Sequence, residues 1–114
     1  MNVLLERMLE EKFQNLYLGK LKWGFECDNG WFQLLYALSK KLSHSVEVLQ
    51  VKEKFGTLRF YISGGTEDDQ AAVSKAENMS LHICELCGMD GEINNYKVLC
   101  EHCRLEGDLE AWIV

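Results

Sequence analysis

The spacing of apolar and polar residues along the chain predicts two helices, a hairpin and a third helix, in that order. Residues 3–18 and 30–43 carry an apolar side chain every three or four positions, which is the spacing of one buried helix face. The predicted inner faces are Leu5, Leu9, Phe13 and Leu16 in the first helix, and Trp31, Leu35, Leu38 and Leu42 in the second. The apolar face of the first helix is interpreted as part of the core. The alternative is that this face docks a partner.

Residues 45–63 predict a β-hairpin. Strand-forming side chains precede a polar turn at residues 52–56, and apolar and polar side chains then alternate from Thr57 to Ile62. Gly64 and Gly65 end the second strand. Thr66 then begins a third helix, because the three acids that follow it favour the positive end of a helix dipole. The predicted inner face of that helix is Ala72, Ala76 and Met79.

An aromatic-rich connection at residues 23–32 lies between the first two helices. In the favoured interpretation Trp23, Phe25 and Trp31 fill the core, and Asp28 or Asn29 caps the second helix. In the alternative, the same rings form a recognition pocket whose acids are Glu26 and Asp28.

Four cysteines near the C-terminus have the spacing of a metal site. Cys84 and Cys87 form one Cys-x-x-Cys pair, and Cys100 and Cys103 form a second after twelve intervening residues. Each pair lets a tight turn aim two sulfurs at one point, and two pairs complete a tetrahedron. We therefore expect one structural Zn²⁺ per chain, since four protein ligands leave no position for water or substrate.

Other interpretations of these residues remain open. Iron also fits a tetrahedral sulfur site, and the cysteines could instead form two disulfides or remain free thiols. His82 and His102 flank the ligands and are expected around the site or at the surface. Cys27 is distant in sequence and is expected to be a buried thiol.

The chain of 114 residues has room for a single domain. We predict an α+β core at residues 1–80, a zinc ribbon packed on it at 81–105, and an acidic C-terminal tail at 106–114. No apolar run approaches the roughly 18 residues that cross a bilayer, and the first residues do not resemble a signal peptide. A cytoplasmic protein without a membrane partner is expected, and its reduced thiols favour metal over disulfides.

The net charge of −6 is unevenly distributed. Residues 1–65 carry nine basic and seven acidic side chains, whereas residues 66–114 carry three basic and eleven acidic ones, a net charge of −8. The metal-bearing half should therefore repel phosphate, which disfavours nucleic acid as a partner. The hairpin carries a small basic cluster that consists of Lys52, Lys54 and Arg59. We interpret this cluster as the solvated edge of a strand. The alternative is that it contacts nucleic acid.

Two segments resemble an uncharacterised family of small bacterial and phage proteins. They are WGFECDNGWF at residues 23–32 and VKEKFGTLRFY at residues 51–61, followed by a helix that leads into the cysteine pairs. The resemblance covers most of residues 20–103 and implies a zinc ribbon and an accessory, mobile gene setting. The tail after Cys103 departs from the pattern.

The expected function is contact with a partner rather than catalysis. The chain carries no paired histidine and nucleophile, no glycine-rich phosphate loop and no zinc-protease helix, and no small-molecule substrate is expected. We expect an inhibitor or immunity-type protein of bacterial and phage conflict, with a nucleic-acid-binding regulator as the alternative. The acids expected to engage a basic protein partner are Asp68, Asp90, Asp108, Glu26 and Asp28.

Overall fold

A mixed three-stranded sheet, in the order β1-β2-β3, lies at the centre of the fold. The strands are β1 (Phe25–Glu26), β2 (Val46–Lys54) and β3 (Thr57–Gly64). The computed structural model describes residues 1–18 and 21–105, and over these residues the predicted α+β class is confirmed. β2 and β3 form the predicted antiparallel hairpin, but β2 continues to Lys54, so the turn consists of residues 55–56 and is shorter than the predicted 52–56. β1 was not predicted, and it pairs with β2 in parallel.

Helices pack against this sheet and against one another. The α-helices of the core are α1 (Val3–Lys12), α2 (Phe32–Lys41) and α3 (Glu67–Met79), and a further helical segment occupies residues 101–105. α3 contacts both β3 and α2, and α1 contacts α2. Short 3₁₀ turns at Asn29–Trp31 and Ser80–His82 lead into α2 and out of α3. In the described ranges, none of the helices combines the length and the apolar character needed to cross a bilayer.

The first helix is shorter than predicted and ends at Lys12 rather than near residue 18. At Phe13 the backbone leaves the helix, and the NH groups of Leu16 and Tyr17 turn back to the Phe13 carbonyl. This turn carries Tyr17 into the core, where its hydroxyl lies 2.6 Å from the Ser39 hydroxyl. Apolar spacing continues through the turn, so the pattern alone could not show where the helix stops.

The inner face of the second helix is confirmed, but its start differs from the prediction. All four of its predicted core side chains are buried. Asp28 makes no side-chain capping hydrogen bond. The Asn29 side chain instead accepts a hydrogen bond from the backbone NH of Asn2. The chain thus enters α2 through a tight 3₁₀ turn.

Trp23 does not belong to the core, contrary to the favoured interpretation. Its side chain is 59% exposed, and the Lys22 ammonium lies 4.9 Å from the centre of its ring. Phe25 and Trp31 are buried as predicted. The difference follows from Gly24, whose φ of +66° turns the chain sharply between Trp23 and β1.

The start of α3 is fixed by a capping box between Thr66 and Asp69. The Asp69 carboxylate also accepts hydrogen bonds from the backbone NH and the hydroxyl of Ser43, at 2.9 and 2.6 Å. Asp69 is therefore buried, and it joins α3 to the loop after α2. The buried apolar residues of α3 are Val73 and Ala76, whereas Met79, which was predicted to face the core, is exposed.

The outer edge of β3 is bonded to the end of α3. The backbone NH of Leu58 donates to the Ser80 hydroxyl, and that of Phe60 donates to the Glu77 carboxylate, both at 3.0 Å. Ser80 is fully buried and donates in turn to the Glu77 carbonyl. The end of α3, from which the cysteine segment continues, is thus tied to the sheet.

We predict that Asp69→Asn lowers stability at neutral pH and that this difference disappears in acid. Hydrogen bonds from the Ser43 hydroxyl and from the Thr66 and Ser43 backbones hold the pKa of Asp69 at about 2. An ordinary aspartate has a pKa of about 3.9, so the carboxylate stabilises the fold above that pH. This stabilisation is lost as the pH falls through about 2.

Urea unfolding midpoints, measured from about pH 7 down to about pH 2, check this prediction. Asp68→Asn is the matched control, because Asp68 shares the same helix turn but is exposed. A pH-independent difference between wild type and Asp69→Asn would contradict the assignment.

Candidate metal centre

The four predicted cysteine ligands come together at one point. Their Sγ atoms all lie within 4.8 Å of one another, and Cys87 Sγ is 3.6 Å from Cys100 Sγ. A tetrahedral zinc ion with Zn–S bonds of about 2.3 Å sets its sulfurs about 3.8 Å apart. The cluster therefore has the donor atoms and the spacing to hold a metal ion of this kind.

Local backbone geometry explains how each pair converges. In the first pair the chain turns at Gly88, whose φ is +85° and whose NH donates to the Cys84 carbonyl. In the second, the backbone NH of Cys103 points at Cys100 Sγ at 3.4 Å, at the start of a helical segment over residues 101–105. A small hairpin joins the pairs, formed by β4 (Glu92–Asn94) and β5 (Lys97–Leu99).

The electrostatics of the cluster favour a bound cation. Burial opposes ionisation of Cys84, but hydrogen bonds from the backbone at Cys100, Cys87 and Leu86 outweigh it and lower its pKa to about 6. Burial and the neighbouring sulfurs raise the pKa of Cys103. Four thiolates this close repel one another, and a divalent cation would replace the protons that otherwise keep them neutral.

The first cysteine pair is docked on the core through backbone groups. The NH of Gly30 donates to the Glu85 carbonyl at 2.7 Å, and the indole NH of buried Trp31 donates to the Ile83 carbonyl at 3.0 Å. A Cβ at Gly30 would collide with the carbonyl oxygens of Cys84 and Glu85. Only glycine allows this approach.

Glu85 completes the docking contact and was missed by the sequence analysis. Its carboxylate is buried and accepts a hydrogen bond from the backbone NH of Asp28 at 2.9 Å. Burial raises its pKa. A charged residue inside a Cys-x-x-Cys turn ordinarily predicts exposure, and the partner that buries it is 57 residues away in sequence.

A second contact joins the tips of the two hairpins. The rings of Phe55 and Tyr96 lie 5.7 Å apart, and Gly56 approaches the backbone of Tyr96 so closely that a Cβ there would be only 3.0 Å away. The ribbon is therefore held both at the Gly30 turn and at the β2–β3 turn.

Two of the acids predicted to bind a partner, Asp68 and Asp90, lie toward opposite ends of α3. Asp68 is in the first turn of α3, whereas Asp90 follows the far end of this 13-residue helix, which is about 20 Å long. Asp28 adjoins the ribbon through its backbone, while the Glu26 carboxylate accepts a hydrogen bond from the Gln50 side chain. Asp108 lies outside the described residues.

The ribbon instead presents an acidic cleft of about 600 Å³ beside the cluster. Among its lining residues are Asp90, Glu92, Glu101, His82 and Arg104. His82 is exposed there, and His102 is exposed elsewhere on the ribbon. Cys27 lies outside the cluster and is buried as predicted, and burial raises its pKa to about 12.

We expect each chain to bind one metal ion, and we expect this binding to require the four clustered cysteines but not Cys27. Cys100→Ser should release the ion and lower the melting temperature, because metal binding and folding of the ribbon are coupled. Cys27→Ser should retain the ion. Elemental analysis of protein purified under reducing conditions, together with thermal melts, checks both. Wild-type protein without stoichiometric zinc or iron would contradict the assignment.

The docking contact makes a separate prediction. Gly30→Ala should destabilise the fold by about 1–3 kcal/mol or more, as overpacking does, and should speed metal loss to a chelator. Gln33→Ala, exposed on the following helical turn, is the control. Unchanged urea midpoints and unchanged metal loss in Gly30→Ala would show that the ribbon does not depend on this contact.

Comparison of the chain with protein-family models, with curated proteins and with solved structures gives no match.

Proposed function

We propose that this protein is a non-enzymatic, zinc-binding protein that acts by contact with a partner protein. The observation that carries the proposal is the closed cluster of four cysteine sulfurs. Zinc bound by four protein ligands keeps no open position for water or substrate, so its contribution is to the shape of the ribbon. The docking contacts at Gly30 and Gly56 would extend that rigidity to the core.

Zinc is the proposed metal because of the donor set. Four thiolates in a tetrahedron suit Zn²⁺. Zinc does not exchange electrons with other molecules, so a zinc site does not need to be exposed to solvent. Cys84 and Cys100 are both buried, which suits a site that stabilises structure. The metal would hold residues 84–87 and 100–103 together and so fix the hairpin between them.

The proposed partner presents a basic surface, which the acidic cleft would engage. Asp90, Glu92 and Glu101 line this cleft, and the Arg104 guanidinium is turned to the backbone carbonyls of Glu92 and Leu99. Four thiolates around one Zn²⁺ would add two further negative charges nearby. A concave surface lined by one sign of charge focuses the field and steers oppositely charged proteins.

The biological role that we propose is that of an inhibitor or immunity-type protein in conflict between bacteria and phages. The small size of the chain and the acidity of its metal-bearing half support it. A basic nuclease or a nucleic-acid-binding groove is the kind of partner surface that an acidic inhibitor would cover. Affinity capture from the native host, with mass-spectrometric identification, would provide the partner for kinetic tests.

We expect the double variant Asp90→Lys/Glu101→Lys to slow association with that partner about tenfold or more, because the cleft would no longer attract a basic surface. Asp68→Lys is the matched control, since Asp68 lies at the other end of α3. Association rates measured by surface plasmon resonance at low and high salt check this. Equal rates for wild type and the double variant would contradict the role of the cleft.

A further inference from the structure

A second surface lies on the solvent side of the sheet. It consists of Lys52, Lys54, Arg59 and Tyr61, which we call the basic sheet face. Lys52 is directly opposite Arg59 in the β2–β3 pairing. Because side chains alternate along a strand, Lys54 and Tyr61 project on the same side, and the alternate residues of β3 are buried in the core.

Two exposed rings adjoin this face where the hairpins meet. Phe55 is 60% exposed and Tyr96 is 70% exposed, although their rings lie 5.7 Å apart at an angle of 60°. We call this pair the aromatic tip. Most of each ring therefore contacts solvent and not the partner ring.

Both residues of the aromatic tip have left-handed backbones. The φ angle is +54° at Phe55 and +62° at Tyr96. Bulky side chains rarely adopt such angles, and glycine or asparagine fits them with less strain. The contact between the rings joins the two hairpins, but it leaves more than half of each side chain exposed. Packing alone therefore does not account for two strained and largely exposed rings, which points to a ligand.

Two lysine side chains lie beside exposed aromatic rings of this surface. The Lys54 ammonium lies 5.7 Å from the centre of the Phe55 ring, and the Lys52 ammonium lies 5.9 Å from that of Tyr61. The buried Nε of Arg59 has no hydrogen-bond partner among the described residues. Tyr61 is itself 43% exposed, so rings and cations alternate across one continuous surface.

We propose that the basic sheet face and the aromatic tip together bind single-stranded nucleic acid. Bases would stack on Phe55, Tyr96 and Tyr61, and Lys52, Lys54 and Arg59 would contact the phosphates. Binding to single strands combines these two elements, because an unpaired base offers a free face to a ring. A duplex keeps its bases stacked on one another and would engage the lysines alone.

The acidity of the rest of the chain limits the strength of this binding but does not abolish it. Charges separated by more than about 8 Å are largely screened at physiological salt, so nearby groups dominate. Glu47 lies on the same side of the sheet toward its other end, and the Glu53 carboxylate accepts a hydrogen bond from the Gly56 NH. Glu26 is closer, because it is the partner of Lys52 in the β1–β2 pairing. Its carboxylate, which accepts a hydrogen bond from the Gln50 side chain, offsets part of the positive charge of the basic sheet face. The affinity should therefore be weak and should fall steeply as salt rises.

The test uses fluorescence anisotropy of labelled oligothymidine and oligouridine of about 20 nucleotides with the full, metal-loaded protein. We expect binding at about 50 mM salt that weakens strongly by about 200 mM. Phe55→Asn and Tyr96→Asn should each weaken it about tenfold. The fold should be retained, because asparagine suits both backbones and Gly56 keeps its close approach to the backbone of residue 96. Phe55→Trp should retain binding, and Lys52→Ala/Lys54→Ala should reduce the salt dependence.

Trp23→Ala is the matched control. Like the rings of the aromatic tip, Trp23 is exposed and has a lysine beside it. It lies well away from the Phe55 turn, because it precedes β1, where Phe25 pairs with Val51. Trp23→Ala should leave the affinity for the labelled oligonucleotides unchanged. Three results would overturn the proposal: no anisotropy change at about 0.1 mM protein in low salt, equal binding of a matched duplex, or an unchanged affinity in Phe55→Asn/Tyr96→Asn.

Discussion

The rest of the structure depends on the backbone contact between the first cysteine pair and the turn at Gly30. Zinc in the cluster would join the two cysteine pairs to each other, but it cannot by itself attach them to the sheet and helices. That attachment comes from the Gly30 NH, the Trp31 indole and the carboxylate of Glu85. The free energy of metal binding would reach the core mainly through these three groups, with the approach of Gly56 to Tyr96 as the second contact. The burial of Trp31 and Glu85 shields the three groups from competing water.

The ribbon contributes to both proposed surfaces. Asp90 and Glu92 line the acidic cleft, whereas Tyr96, at the tip of the same small hairpin, forms half of the aromatic tip. A structural metal in this position would therefore set the geometry of two binding surfaces of opposite charge. An ion without an open coordination position would in this way contribute to the proposed functions.

Features set by local geometry were predictable from the sequence, and features set by distant contacts were not. Two Cys-x-x-Cys pairs converge because each turn is short, and the β2–β3 hairpin follows from strict alternation after Thr57. β1 is only two residues long, too short for any period to be visible. The burial of Glu85 and Asp69, and the exposure of Trp23, each depend on a turn or on a partner far along the chain.

The hydrogen bonds along the outside of β3 also determine how the molecule can meet copies of itself. A free strand edge offers amide groups to which another extended chain can add, and sheets grow into fibrils in this way. Here the amides of Leu58 and Phe60 are already bonded to Ser80 and Glu77. Strand addition at β3 would first have to displace the end of α3, and with it the segment that leads into the cysteine cluster. The two hydrogen bonds that tie the end of α3 to the sheet thus also protect this edge against the addition of further strands.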